Sequence, residues 1–276
     1  MSLQWFPGHM AKARRELAAL MSSVDIVIEV LDARMPLSSG NPLVTEFRKD
    51  TPCLKVLSKS DLACPKVTKA WLQRFSSEAG EHVRAIATST ERAADARTLV
   101  LDTCRAFPPK RIGKPIRAVI AGIPNVGKST LINTLMSRRV AVVSDRPAVT
   151  QQQQRVVLAN GMVVTDTPGL MNPKIEDEAA ALRLAFGGAI PATAVDYETM
   201  VLAVAPYLLA RYSKLLDARF KLGELPQDGR ALLEAVGRRR GFLERGGRID
   251  THKAAEILVN EFRSGKLGRI SLEHPL

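Results

Sequence analysis

Short apolar runs rich in Val and Ile alternate with stretches of helical period up to about residue 166, after which the strand signal stops. Val24–Leu31 (VDIVIEVL), Thr51–Leu57, His82–Ala87, Pro115–Ala121, Arg155–Ala159 and Met162–Thr165 read as strands, because each is brief, apolar and mostly β-branched. Several are separated by ten to twenty residues of helical character, the arrangement that builds a mostly parallel sheet. Phe107–Pro115 (FPPKRIGKP) has the three prolines and the glycine of a connector, with the composition of a hinge. Beyond Asn172-Pro173 the pattern predicts helices near 176–187, 196–211, 228–239 and 252–264, with Arg238-Arg239-Arg240 ending the third at Gly241. The expected organisation is an α/β domain over residues 1–173 and a small all-helical C-terminal domain over 174–276.

Composition narrows the class. The 276 residues are 46% apolar, enough to bury a core, which excludes a disordered chain. Cys53, Cys64 and Cys104 form no C-x-x-C pair, so neither a zinc ribbon nor a disulfide scaffold fits, and a reducing cytoplasmic compartment is expected. No run approaches the roughly 18 apolar residues of a membrane span. Lys12, Arg14 and Arg15 arrive before a secretory apolar stretch could form. The net charge of +12 is uneven: residues 1–170 hold 24 basic and 14 acidic side chains, residues 171–276 hold 16 and 14. Within 103–155 ten basic residues accompany one acid, Asp145, and Arg230 to Arg269 adds ten more basic residues in the helical half. Such a field suits a polyanionic partner.

The chemistry is written in four short motifs. Gly122-Ile-Pro-Asn-Val-Gly127-Lys128-Ser129 matches G-x-x-x-x-G-K-[ST], follows an apolar strand (RAVIA) and precedes a helix (STLINTLM), the context a P-loop requires. Backbone amides over Asn125, Val126, Gly127, Lys128, Ser129 and Thr130 can wrap phosphates, Lys128 adds a charge for the β and γ oxygens, and the Ser129 hydroxyl can ligate Mg²⁺. Asp166-Thr-Pro-Gly169, 44 residues after Gly122, closes a second apolar strand, where Asp166 can hold the magnesium through water and Gly169 can offer its N–H to a γ-phosphate. Thr150, between them in a polar loop, can complete the metal shell when a γ-phosphate is present.

Phosphates are common to all nucleotides, so the base must be read elsewhere. Ser58-Lys59-Ser60-Asp61 follows a strand, and the Asp61 carboxylate there can accept from guanine N1–H and the exocyclic amine, which adenine lacks. Thr88 and Ser89, after the next strand, can offer a backbone N–H to guanine O6. These base-reading segments precede the P-loop, whereas in most GTPases they follow it. The order is that of a circularly permuted P-loop GTPase fold, since a sheet is assembled by pairing and survives a new cut point.

Trp5-Phe-Pro-Gly-His-Met10 with Lys12 and Arg14, Asp32-Ala-Arg-Met-Pro36, the permuted order, Asp166-Thr-Pro-Gly-Leu170 with Pro173-Lys174, Leu182-Arg-Leu-Ala185 with Gly188-Ala-Ile190, and Gly246-Gly247 together resemble the YlqF-type circularly permuted GTPases, the ribosome biogenesis GTPase A family. The resemblance runs over nearly the whole chain. It implies slow hydrolysis of GTP stimulated by the ribosomal particle, cytoplasmic assembly of the large (50S) subunit, and nucleotide-dependent binding to rRNA or the preribosomal particle. Ser58 stands where that family usually has Asn, Ala148 where it has Gly, and Ala87-Thr88 replace a more polar base loop.

Leu170 occupies the place of the Gln that orients water in Ras-like enzymes and can neither donate nor accept; the resemblance points to His9 as the substitute. Asn125 has two readings: a K⁺ ligand, as in potassium-dependent P-loop GTPases, or a residue that caps the loop. His82, His252 and His274 make no metal-ligand spacing, so no zinc site is expected. The expected partners are GTP or GDP and the large subunit with its rRNA, without a membrane, for a monomeric protein. A module of another class competes: a nucleotide-gated RNA-binding module with negligible hydrolysis, suggested by Leu170 and Ser58.

Overall fold

The computed structural model describes residues 15, 18–78, 82–108, 110, 113–136, 155–167, 177–191, 195–244 and 246–275. Among the described residues six strands form one sheet in the order β3-β2-β1-β4-β6-β5. They are β1 (Ile26–Asp32), β2 (Cys53–Ser58), β3 (Val83–Ala87), β4 (Arg117–Ala121), β5 (Arg155–Val157) and β6 (Val163–Asp166). All pairings are parallel except β5 with β6. Every residue of β1 is buried, which is why its sequence reads as an apolar run without alternation. Its one internal acid, Glu29, is matched by Lys55 at 2.5 Å on the adjacent strand. The β5–β6 turn closes at Asn160-Gly161, where Gly161 takes a φ of +81°.

Between the strands lie α1 (Pro42–Arg48), α2 (Pro65–Glu78), α3 (Ala93–Arg105) and α4 (Lys128–Met136), with a 3₁₀ turn at Thr90–Arg92. After the sheet come α5 (Glu178–Gly187), α6 (Tyr197–Phe220), α7 (Gly229–Arg240) and α8 (Thr251–Arg263). Each of these four starts on an aspartate whose side chain accepts a first-turn N–H: Asp177 from Ala179 at 2.9 Å, Asp196 from Thr199 at 2.9 Å, Asp228 from Ala231 at 2.8 Å and Asp250 from Lys253 at 2.8 Å. Each cap stabilises its helix by about 1 kcal/mol. The expected third-helix stop is present: Gly241 takes a φ of +69° and its N–H bonds Arg238 O. The helix expected over 196–211 is longer. Its helical dihedrals break at Tyr212 (φ −131°, ψ 20°) and then resume to Phe220, so the sequence pattern found the first segment and missed the second.

The strands and the C-terminal helices share one apolar cluster, running from Ile28, Leu54 and Ile120 to Phe186, Leu208, Leu258 and Phe262. The turn after β1 packs against the C-terminal helices. Met35 packs so tightly on α5 that a Cβ on Gly187 would lie 2.0 Å from Met35 Cε, and the Arg34 guanidinium lies over the Phe262 ring at 4.7 Å. Among the described residues no helix is long and apolar enough to cross a membrane.

Candidate functional site

The turn from β4 into α4 is bent by three positive φ angles, Gly122 (+151°), Asn125 (+58°) and Gly127 (+104°). Gly122 is also a contact requirement, since a Cβ there would come within 2.6 Å of Val30 O. The bend lies at the N-terminus of α4, where a loop of this kind can present backbone amides to phosphate. Lys128 is buried and its Nζ donates to Ile123 O at 2.8 Å, within the loop it belongs to. Burial pushes its pKa down to about 8, with the charge of Asp166 pulling the other way. Asp166 pairs in register with Ile120 at the mouth of the same loop. Ser129 and Thr130 are exposed at the head of α4. Among the described residues no cluster of His, Cys, Asp and Glu is suited to a metal ion.

The loop after β2 is bonded to the P-loop although 66 residues separate Lys59 from Asn125: Lys59 Nζ donates to Asn125 O at 2.7 Å. The same ammonium reaches Asp32 Oδ2 at 2.9 Å. Ser58 Oγ lies against two carbonyls, Leu31 O at 2.9 Å and Val126 O, and packs beside Gly127. Asp32 is doubly held by Arg34, through Nε at 2.9 Å and Nη2 at 2.8 Å. Burial alone would raise the Asp32 pKa; the charges and hydrogen bonds of Arg34 and Lys59 outweigh it and hold the carboxyl well below the usual carboxylate range.

Asp61, Thr88 and Ser89 line one cavity of about 510 Å³ with Leu99 and Arg269. Asp61 lines this cavity, and its Oδ1 is itself buried with no hydrogen-bond donor among the described residues. Thr88 N–H is taken by Leu57 O at 2.9 Å, because it continues the β2–β3 ladder, so the amide left at this corner is that of Ser89. Asn125 Nδ2 donates to Gly188 O at 3.0 Å, at the C-cap of α5, a partner that the loop-capping reading did not anticipate. Asp32 and Arg34 were legible only as part of a resemblance; what could have flagged them is an Asp and an Arg two residues apart at the end of a wholly apolar strand. His9, Thr150, Gly169 and Leu170 lie outside the described residues.

Comparison with known proteins places this geometry. Residues 117–208 match a family described as 50S ribosome-binding GTPase. Over its full length the chain is 40% identical to ribosome biogenesis GTPase A of Priestia megaterium, covering 98% of that protein, and over 99% of its length 32% identical to ribosome biogenesis GTPase A of Thermotoga maritima, covering 95%. Among solved structures, the GDP-bound structure of TM YlqF superposes with a TM-score of 0.70 at 27% identity, covering 95% of this chain and 99% of that one. The GNP-bound YlqF from T. maritima gives 0.67 at 28%, covering 96% and 98%.

Proposed function

The chain belongs to the ribosome biogenesis GTPase A family and is a GTPase, and from that premise we propose that it binds the assembling 50S subunit or its rRNA in one nucleotide state and leaves it after hydrolysis. The observation that supports this is the pair of bonds from Lys59 and Ser58 to the P-loop carbonyls of Asn125 and Val126, which joins the segment we read as base-reading to the segment we read as phosphate-binding despite the permuted order. In that unit Asp61 accepts from guanine N1–H and the 2-amino group, and Ser89 N–H donates to O6. The amides of Asn125, Val126, Gly127, Lys128, Ser129 and Thr130 hold phosphate, with Gly169 at the γ position. His9 positions the attacking water.

The oxygens of Ser129, Thr150 and Asp166 are hard donors and fit Mg²⁺ rather than a softer metal. When bound, that ion neutralises charge on the β and γ oxygens. K⁺ at Asn125 belongs to the same proposal, as do a monomeric state, a cytoplasmic location and an RNA-binding role for residues 174–276. Membership in a family of GTPases displaces the gate without hydrolysis.

Cosedimentation with purified 50S subunits in GDP and in a non-hydrolysable GTP analogue, paired with single-turnover hydrolysis with and without subunits, tests the proposal. Tighter binding with the analogue and faster turnover on the particle are expected. Equal binding in both nucleotides and without nucleotide overturns the switch.

A further inference from the structure

The C-terminal turn of the chain is built into the base-reading loop. Ile270 N–H donates to Leu62 O at 3.0 Å, and Cys64 N–H donates to Ser271 Oγ at 3.1 Å. Gly265 (φ +77°) lies so close to the same loop that a Cβ there would come within 2.6 Å of Leu62 Cδ2. The segment is fixed from its other side as well: Tyr212 Oη donates to Ser271 O at 3.0 Å, and Trp71 Nε1 donates to Glu273 O at 3.2 Å. Asp61 directly precedes Leu62, and Arg269 directly precedes Ile270. The Leu62–Ile270 bond therefore brings these two residues to one place, and both line the same cavity.

Guanine is a donor along N1–H and its 2-amino group and an acceptor along the neighbouring edge, O6 and N7. The cavity carries Asp61 and Arg269 on the two bonded segments, with Glu91, Arg92 and Asp95 on the segment after β3; a carboxylate and a guanidinium set together by the Leu62–Ile270 bond match that split, and the guanidinium fork fits the O6/N7 pair. The cavity's other cation, Arg92, closes the 3₁₀ turn after β3; its segment is bonded to the Asp61 loop through Ser60 N–H and Thr88 O at 3.1 Å, but Arg92 lies four residues beyond that bond, whereas Arg269 directly adjoins Ile270. We propose that Arg269 is a guanine-binding residue, donating to the O6/N7 edge of the base that Asp61 holds by its donor edge. This rests on reading Asp61 as the base reader. It means that the base pocket is completed by the far end of the chain, so that nucleotide binding and docking of the C-terminal segment favour one another.

The test titrates GDP and inosine diphosphate, which lacks the 2-amino group, into the full chain and into Arg269→Ala, Arg269→Lys and Asp61→Asn by calorimetry. Arg269→Ala is expected to weaken both nucleotides alike, by roughly tenfold, because both present O6 and N7. Arg269→Lys, with a charge but no fork, should recover part of the loss. Asp61→Asn should weaken GDP more than inosine diphosphate. Wild-type affinity in Arg269→Ala together with a weakened Asp61→Asn overturns the Arg269 contact and leaves the base reading standing. Wild-type affinity in both overturns the two together.

Discussion

Lys128 makes nucleotide binding depend on pH in a way that can be calculated. In the free protein its pKa stands at about 8 against an ordinary 10.5, because burial disfavours the ammonium. Phosphate oxygens in the P-loop would restore the ordinary value, so the complex holds a proton that the free protein begins to lose above pH 8. With those two values, raising the pH from 7 to 9 lowers GDP affinity by about tenfold, and binding at pH 9 takes up about 0.9 proton. The same shift acts on folding with the opposite sign: between pH 8 and 10.5 the unfolded chain holds more protons than the folded one, so the stability of the free protein rises with pH across that window, by about 3 kcal/mol in total. Calorimetric titration of GDP at pH 9 in buffers of different ionisation enthalpy reads the proton uptake directly, with Lys128→Arg as the reference that does not titrate. An uptake near zero in the wild type, or an affinity that falls with pH as steeply in Lys128→Arg, would refute the reasoning.

Ser58 has one proton for two carbonyls, Leu31 O and Val126 O, so Ser58→Asn, whose amide can serve both, should tighten GDP binding by about 1 kcal/mol; calorimetry that shows a loss would count against it. Asn125→Asp sets a carboxylate against Gly188 O, and faster amide exchange over 185–190 is expected, while replacing K⁺ by Na⁺ should slow hydrolysis in the wild type and not in the variant. His9→Ala should lower ribosome-stimulated turnover by roughly 10²–10⁴ with GDP affinity unchanged, and a parallel loss of binding would make His9 structural. Arg240 is bonded to Glu261 at 3.0 Å and Arg239 to Leu222 O at 3.3 Å, so the cleaner charge reversal is Arg230→Glu with Arg238→Glu, both exposed. It should weaken 50S binding and reduce the salt slope by about 1–2, and an unchanged slope would exclude these arginines from the RNA surface.

Strands were legible because burial on both faces leaves a continuous apolar run, and β1, β2 and β4 all begin and end within two residues of the sequence reading. The motifs on their ends were legible for the same reason, since a parallel sheet gathers such ends on one side. What needed coordinates was everything set by register. Asp32 lies level with Ser58 across β1 and β2, which is why Lys59 reaches it, and no local spacing announces that. Thr88 differs from Ser89 only because the ladder of β2 and β3 runs one residue further. The contact of Ile270 with Leu62 joins segments some 200 residues apart through backbone groups, which carry no side-chain signature.

These register-dependent contacts close a ring. Lys59 joins Asn125 O to Asp32, Asp32 is clasped by Arg34, and Arg34 Nη2 reaches Gly187 O at 3.2 Å; Asn125 Nδ2 then meets Gly188 O, the next residue of the same helix end. Arg263 of α8 adds bonds to Ala185 O at 2.7 Å and Phe186 O at 3.1 Å. The C-terminal carbonyls of α5, which carry the negative end of the helix dipole, are thus capped from the P-loop, from the end of β1 and from α8 at once. The other end of α5 begins at Asp177, eight residues after Gly169. A helix of ten residues is therefore held at one end by the phosphate loop and joined at the other to the segment assigned to the γ-phosphate. Arg34 is 1% exposed, and removing one member of so buried a pair costs about 3–5 kcal/mol, so the ring resists piecemeal loosening. Under the proposed switch, α5 is the element through which nucleotide state is expected to reach α6, α7 and α8, and Asn125, exposed and neutral where Arg34 is buried and charged, is the contact expected to exchange first; equal amide exchange over 185–190 in GDP and in a GTP analogue would exclude this.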